Sequence, residues 1–297
     1  MELHDYQQQA RRTEKRVHAA GSDIAVPILG LAGEVGELIN EYKKYLRDGP
    51  AHERFPERVT EELGDILWYV AQTATKFNLN LNEVAHQNLH KTRARWGVAQ
   101  DSGLLFEPQA RAFDAAFPEN ERFPRQLVAE FRPSVDEEAG QMWVFVDGEQ
   151  MGDPLTDNAY LPDGYRFHDV FHLACAAVLG WSPVVRKLLG RKRRSSPKID
   201  EVEDGGRAIA TEEGISALIF AYARDHRWLD GVQSVDYDIL KAIRIMTSSF
   251  EVNVCTTGEW ERAILQGYET WKQVEESQGG KVSLDLDKAT IKFVGMV

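Results

Sequence analysis

Cysteine is scarce in this chain. Of 297 residues only Cys175 and Cys255 carry thiols, each in an apolar or small-residue context. Two cysteines so placed build neither a disulfide framework nor a CxxC zinc site, and buried free thiols are the expectation. Long apolar runs are also missing: no segment approaches the roughly 18 uninterrupted apolar residues that span a bilayer. The first residues, MELHDYQQQARRTEKR, contain no apolar stretch of the secretory kind. No membrane partner and a cytoplasmic location are expected. Positive charge is in deficit, with 35 Lys and Arg against 47 Asp and Glu and a net charge of −12. That balance excludes a chain built to coat nucleic acid and suits one that gathers carboxylates around a cation.

What is present describes a soluble globular protein: 43% hydrophobic and 28% charged residues over a length that fits two ordinary domains. The most informative residues are four acids in two short helical patterns. Glu34 and Glu37 lie in LAGEVGEL and Glu62 and Asp65 in EELGDILWYV, with 24 residues between Glu37 and Glu62. At three-residue spacing each pair projects from one helix face. If the two helices pack antiparallel through their apolar residues, all four acids converge, and a cation is needed to neutralise them. Hard oxygen ligands suit Mg²⁺ or Mn²⁺ and the phosphates of a nucleotide. The plain alternative is two solvated acidic faces, although these acids sit inside apolar runs.

Leu31 to Leu38 and Glu61 to Val70 resemble the ExxE and ExxD halves of the signature of MazG-type nucleoside triphosphate pyrophosphohydrolases, the all-α NTP pyrophosphatase superfamily. Asn88, Lys91 and Arg95 in NLHKTRARW resemble that family's basic tail. The match covers the first third of the chain. It implies Mg²⁺-dependent hydrolysis of a nucleoside triphosphate to the monophosphate and pyrophosphate, with Glu34, Glu37, Glu62 and Asp65 on the metal and Asn88, Lys91 and Arg95 toward the substrate. Glu34 or Glu37 is the candidate general base, and spacing does not choose between them. The resemblance also implies a homo-oligomer, a dimer or tetramer.

The expected fold is mainly α: a four-helix MazG-like domain over residues 1–98, then an α-rich domain over 99–297 with a small β-hairpin. The first four helices are read over residues 6–17, 24–46, 56–77 and 81–96, with Ser22 or Asp23 capping the second and Asn80 the fourth. Residues 97–125 read as an ordered connector, and LVAEFRP and QMWVFVDG as the two strands of a hairpin around the turn-rich DEEAG. Helices follow at 167–179, 182–189, 205–225, 237–249 and 259–276, and a short strand near 290–294.

The second region carries its own constellation. In RFHDVFHLACA, His168 and His172 are one turn apart with Asp169 adjacent, and Glu212 and Glu213 open TEEGISALIFAYARD. If those helices pack, both histidines and one glutamate form a mixed nitrogen and oxygen site. The alternative is a core-edge histidine pair and an ordinary pair of helix-start acids. The basic run from Arg186 to Lys198, followed by acids from Asp200 to Asp204, reads as a charged surface loop. Two further functions stay open: a nucleotide-sensing or interaction protein whose second domain binds the ligand or partner, and a second metal hydrolase centre around His168 and His172. Base and sugar preference are not written in these patterns.

Overall fold

The structure is a computed structural model that describes residues 1–14, 22–96, 110–134 and 140–297. The chain is mainly α and divides into two compact units, Met1–Arg93 and Ala94–Val297.

In the first unit α1 spans Leu3–Arg12, α2 Ser22–Asp48, α3 Phe55–Lys76 and α4 Leu81–Trp96. Pro56 sits in the first turn of α3, where its missing N–H costs nothing. The Asn80 side chain accepts a hydrogen bond from the Asn82 N–H at 2.9 Å and so caps α4 as its sequence suggests. The first helix starts earlier and ends sooner than its polar pattern implies, and residues 15–21 lie outside those described, as do the side chains of Ser22 and Asp23. α1 is tied to α3 by polar groups. Gln72 donates to the Ala10 carbonyl at 2.7 Å, while Gln7 donates to the Leu79 carbonyl at 2.8 Å and accepts from the Leu81 N–H.

The core of this unit is small, built on Ala10, Ala71, Ala74 and Leu81 with Tyr6, Trp68 and Val70 packed against it. Many larger apolar side chains of α2 and α3 remain exposed, among them Ile28, Leu29, Ile39, Leu46, Leu63 and Leu67.

The second unit is organised around one five-stranded antiparallel sheet. Its strands are β1 (Gln126–Pro133), β2 (Met142–Val146), β3 (Glu149–Gln150), β4 (Gly280–Asp285) and β5 (Thr290–Gly295), in the order β3-β2-β1-β4-β5. The expected hairpin is present as β1 and β2, yet it is only part of the sheet: β1 pairs on its other side with β4, which the sequence reading left out. Residues 135–139 of the hairpin turn, and 97–109 of the connector, are not among those described. Leu127, Ala129 and Phe131 face inward with Val282 and Leu284 across the register. On this layer pack α5 (Asp169–Leu179), every residue of which is buried, and α10 (Thr257–Glu276). The two helices approach closely because Gly267 has no side chain; a Cβ there would sit 3.1 Å from that of Ala174. Gly180 ends α5 at φ 71°, with no space for a Cβ beside the Arg111 carbonyl.

The helices α6 (Pro183–Leu188), α7 (Pro197–Val202), α8 (Gly206–Asp225) and α9 (Tyr237–Met246) complete the unit. The basic run between α6 and α8 is not the solvated loop its composition suggests. Arg186 and Arg193 are buried. Arg186 donates to Asp114 at 2.8 Å, and Arg193 donates to Asp204 at 2.7 Å and to Glu251 at 2.6 Å. A charge this deep persists only when paired and fully hydrogen-bonded. Removing one partner leaves the others uncompensated, so Arg193→Ala should cost about 3–5 kcal/mol in denaturant unfolding. The exposed neighbour Arg194→Ala should stay within about 0.5 kcal/mol. Equal, small effects for both would return the segment to the solvated-loop reading.

Candidate functional site

In the first unit α2 and α3 run antiparallel, as contacts near their two ends and at the turn between them establish. Near one end a Cβ on Gly30 would collide with the Tyr69 ring at 2.1 Å, so the absent side chain lets the helices close up. Near the other, Tyr45 stacks on Phe55 with ring centroids 4.4 Å apart, and Glu41 Oε2 lies 3.0 Å from His52 Nε2. Between these points the acids meet. Oxygens of Glu34, Glu62 and Asp65 lie within 4.8 Å of one another.

Glu37 is not part of that trio, but its charge acts on Glu62 and the two line the same cavity. The Glu62 carboxyl is raised above its ordinary range, first by burial and then by the charges of Glu34, Glu61, Asp65 and Glu37. Four like charges therefore converge on the position of Glu62.

Beside the acids opens a cavity of about 690 Å³ lined by Glu37, Glu41, Lys44, His52, Arg54, Arg58 and Glu62. One wall is thus anionic and another carries cations. Arg58 pairs with Glu61 at 2.8 Å and Arg54 with Glu57 at 2.8 Å. Glu41 is held below the usual carboxylate range, chiefly by the Lys44 ammonium that donates to it. Arg54 and Arg58 were not read as site residues in the sequence, although they precede Glu62 at four-residue steps and so share its helix face.

Asn88 lies exposed on α4; the side chains of Lys91 and Arg95, on the same helix, lie outside the described residues.

The second unit brings the other constellation together. His168 Nδ1 lies 2.8 Å from the Tyr165 carbonyl, which can only accept, so that nitrogen carries the proton. His172 Nδ1 lies 2.9 Å from Glu212 Oε1. Glu212 also accepts from Ser182 Oγ at 2.7 Å and from the Val184 N–H at 2.9 Å, so both its oxygens are engaged as acceptors and His172 Nδ1 is the donor. His172 Nε2 is thereby turned toward Glu213 Oε2, 3.4 Å away, and His168, His172 and Glu213 form a group with ligand-type atoms within 4.8 Å of one another.

The sequence offered Glu212 and Glu213 as equivalent partners. The fold separates them: Glu212 is buried and orients a ring, while Glu213 is 43% exposed and faces His172 Nε2. Asp169 Oδ1 stands 3.6 Å from His168 Nε2.

Burial penalises a charged His172, yet Glu212, Glu213 and Asp169 outweigh it and hold the ring up to about 10. His168 is pushed the other way, chiefly by burial and further by the charge of His172. Tyr165, stacked on His168 at 4.4 Å, and Ser182 are contributors that the sequence did not flag; Tyr165 lies one short turn before His168, whereas Ser182 reaches Glu212 from 30 residues away.

Among the described residues no helix is long and apolar enough to cross a membrane. The family model of the MazG nucleotide pyrophosphohydrolase domain matches residues 26–97, and that of the MazG C-terminal domain matches residues 108–296. The chain is similar to the Gene 37 protein of Mycobacterium phage L5, 43% identical over 79 residues that make up 25% of this chain and 69% of the phage protein. No solved structure matches.

The charge convergence at Glu62 has a thermodynamic signature. A carboxyl whose pKa is raised in the folded state costs stability at any pH where it is ionised, and the cost is released as pH falls through the raised value. Glu62→Gln should therefore melt above the parent at pH 7 in the presence of a chelator. The difference should shrink as pH approaches the ordinary carboxylate value of 4.5. A variant that melts below the parent at neutral pH would show that the acids do not crowd one another.

Proposed function

We propose, because this chain belongs to the MazG family of nucleotide pyrophosphohydrolases, that its first domain, residues 1–98, hydrolyses a nucleoside triphosphate to the monophosphate and pyrophosphate with Mg²⁺, Mn²⁺ being the alternative ion. The observation that carries this reading is the meeting of Glu34, Glu62 and Asp65 between two antiparallel helices, beside a cavity that also holds Lys44, Arg54 and Arg58.

The donor set fits a hard dication: every candidate ligand in it is a carboxylate oxygen, without nitrogen or sulfur. Glu34, Glu37, Glu62 and Asp65 would hold the ion. When bound it supplies charge stabilisation to the phosphates and a more acidic water. The chain's own groups do the rest. Glu37 stands outside the tight trio and is exposed, so of the four it is the least committed to the ion and the one suited to accept a proton from water approaching the α-phosphorus. Lys44, Arg54 and Arg58 are placed to meet phosphate charge, and Asn88, Lys91 and Arg95 on α4 are the further substrate contacts. Binding of a triphosphate would exchange the surface pairs Arg54–Glu57 and Arg58–Glu61, which are worth little in water, for charge-assisted bonds to phosphate.

The unit's exposed apolar side chains support pairing with a second copy. Ile28, Leu29, Ile39, Leu46, Leu63 and Leu67 belong to the same two helices that hold the acids, while the unit's own core is small. Covering such a surface is the ordinary reason for a homo-oligomer.

Two measurements test these proposals. Glu37→Gln and Asp65→Asn should lower kcat for pyrophosphate release from a panel of triphosphates by about 10²-fold or more, since each removes several kcal/mol of charge stabilisation or proton acceptance, with thermal melting unharmed. Full activity in either variant removes the assignment of that residue. Light scattering on the parent should report a dimer or tetramer, and Leu29→Asp with Ile39→Asp should shift it toward monomer. A parent that is monomeric at all concentrations overturns the pairing.

A further inference from the structure

The acids of the first unit leave the most deliberately built polar cluster of the molecule unexplained. His172 is fully buried, and its Nε2 is sealed from water with no hydrogen-bond partner among the described residues. A buried polar atom left so costs free energy unless something else occupies the space in front of it. Glu213 Oε2 stands 3.4 Å from that nitrogen, longer than an ordinary hydrogen bond, and His168 offers a ring nitrogen to the same group within 4.8 Å.

Each ring is fixed from behind by an acceptor at its Nδ1, the Tyr165 carbonyl for His168 and the Glu212 carboxylate for His172. Glu212 is itself locked by Ser182 and the Val184 N–H at the start of α6. Two imidazoles pinned through Nδ1, with Nε2 converging on a carboxylate, is how proteins prepare nitrogen ligands for a metal; the backing carboxylate sets the tautomer and raises ligand basicity.

We propose that the second unit holds a divalent transition-metal ion of the Zn²⁺ class on His168 Nε2, His172 Nε2 and Glu213, with Glu212 as the orienting carboxylate. The two imidazole ligands select Zn²⁺ over Mg²⁺, which takes oxygen almost exclusively. Three protein ligands leave one position of a tetrahedral ion unfilled, the arrangement of open rather than purely structural zinc sites. The opening lies on the side of Glu213, the one exposed member of the group, so the fourth ligand is water or an anionic group of a small molecule entering there. The site stands apart in chemistry from the all-oxygen acids of α2 and α3 and does not depend on the reading given to them.

The full-length chain, stripped with chelator, is titrated with Zn²⁺ by calorimetry in the presence of excess Mg²⁺, which fills the oxygen-only acids, and bound metal is counted by mass spectrometry. The parent should take up one Zn²⁺, and so should Glu62→Gln, in which the acidic trio is broken. His168→Ala and Glu213→Gln should each weaken that uptake more than tenfold, and Glu212→Gln about 10–100-fold through loss of orientation. Glu213 is half exposed, so its variant keeps the fold, which circular dichroism checks. Absence of Zn²⁺ uptake by the parent overturns the proposal. So does uptake lost in Glu62→Gln, or uptake unchanged in both His168→Ala and Glu213→Gln.

Discussion

Like-charge repulsion among the carboxylates of α2 and α3 is the constraint on which the first unit depends. Two antiparallel helices with acids at matching heights do not pack this closely at no cost: Glu62 sits in the field of four other acids, and its ionised form is the one that suffers. What holds the helices together against that repulsion is modest. It includes the ring of Tyr69 lying over Gly30, the Tyr45 and Phe55 stack, and the Glu41 and His52 pair. A cation bound among the acids would offset the repulsion that Glu62 meets there. Binding of metal and consolidation of the helix pair are then two views of a single event.

The second unit solves its electrostatics differently. Its core is large and its charges are buried in closed networks: Arg193 with Asp204 and Glu251, Arg186 with Asp114, and Glu212 with Ser182, Val184 and His172. In each network the lone pairs and protons are spoken for, which is what the low-dielectric interior demands. Trp181 Nε1, Arg166 Nε, Arg262 Nε and His172 Nε2 are buried without a hydrogen-bond partner among the described residues, and His172 Nε2 is so beside two further ligand-type side chains.

Much of this was readable from the chain. Spacing alone put Glu34 with Glu37 and Glu62 with Asp65 on helix faces, and an antiparallel helix pair is the short-loop solution that brings the two faces together, so the trio follows from local rules. The turn chemistry of Pro56 and Asn80 was equally local. The misses share a cause. β4, GKVSLD, alternates in burial but has too few apolar residues to announce a strand; it exists because β1 offers it a partner more than 140 residues earlier. Arg186 and Arg193 looked like surface charge because their acceptors, Asp114 and Asp204 with Glu251, come from separate parts of the chain. The different fates of Glu212 and Glu213 were likewise invisible: adjacent residues on a helix point about 100° apart, and only the packing of α5 and α6 against α8 decides which one is buried.

The bond that is broken decides between this reading and any other phosphate chemistry. Hydrolysis of a nucleoside triphosphate by the Mg²⁺-loaded protein in ¹⁸O-labelled water, with products resolved by mass spectrometry, locates the attacked phosphorus. Attack at the α-phosphorus predicts nucleoside monophosphate carrying one labelled oxygen and unlabelled pyrophosphate. A diphosphate with labelled inorganic phosphate, or label found in the pyrophosphate, would contradict it.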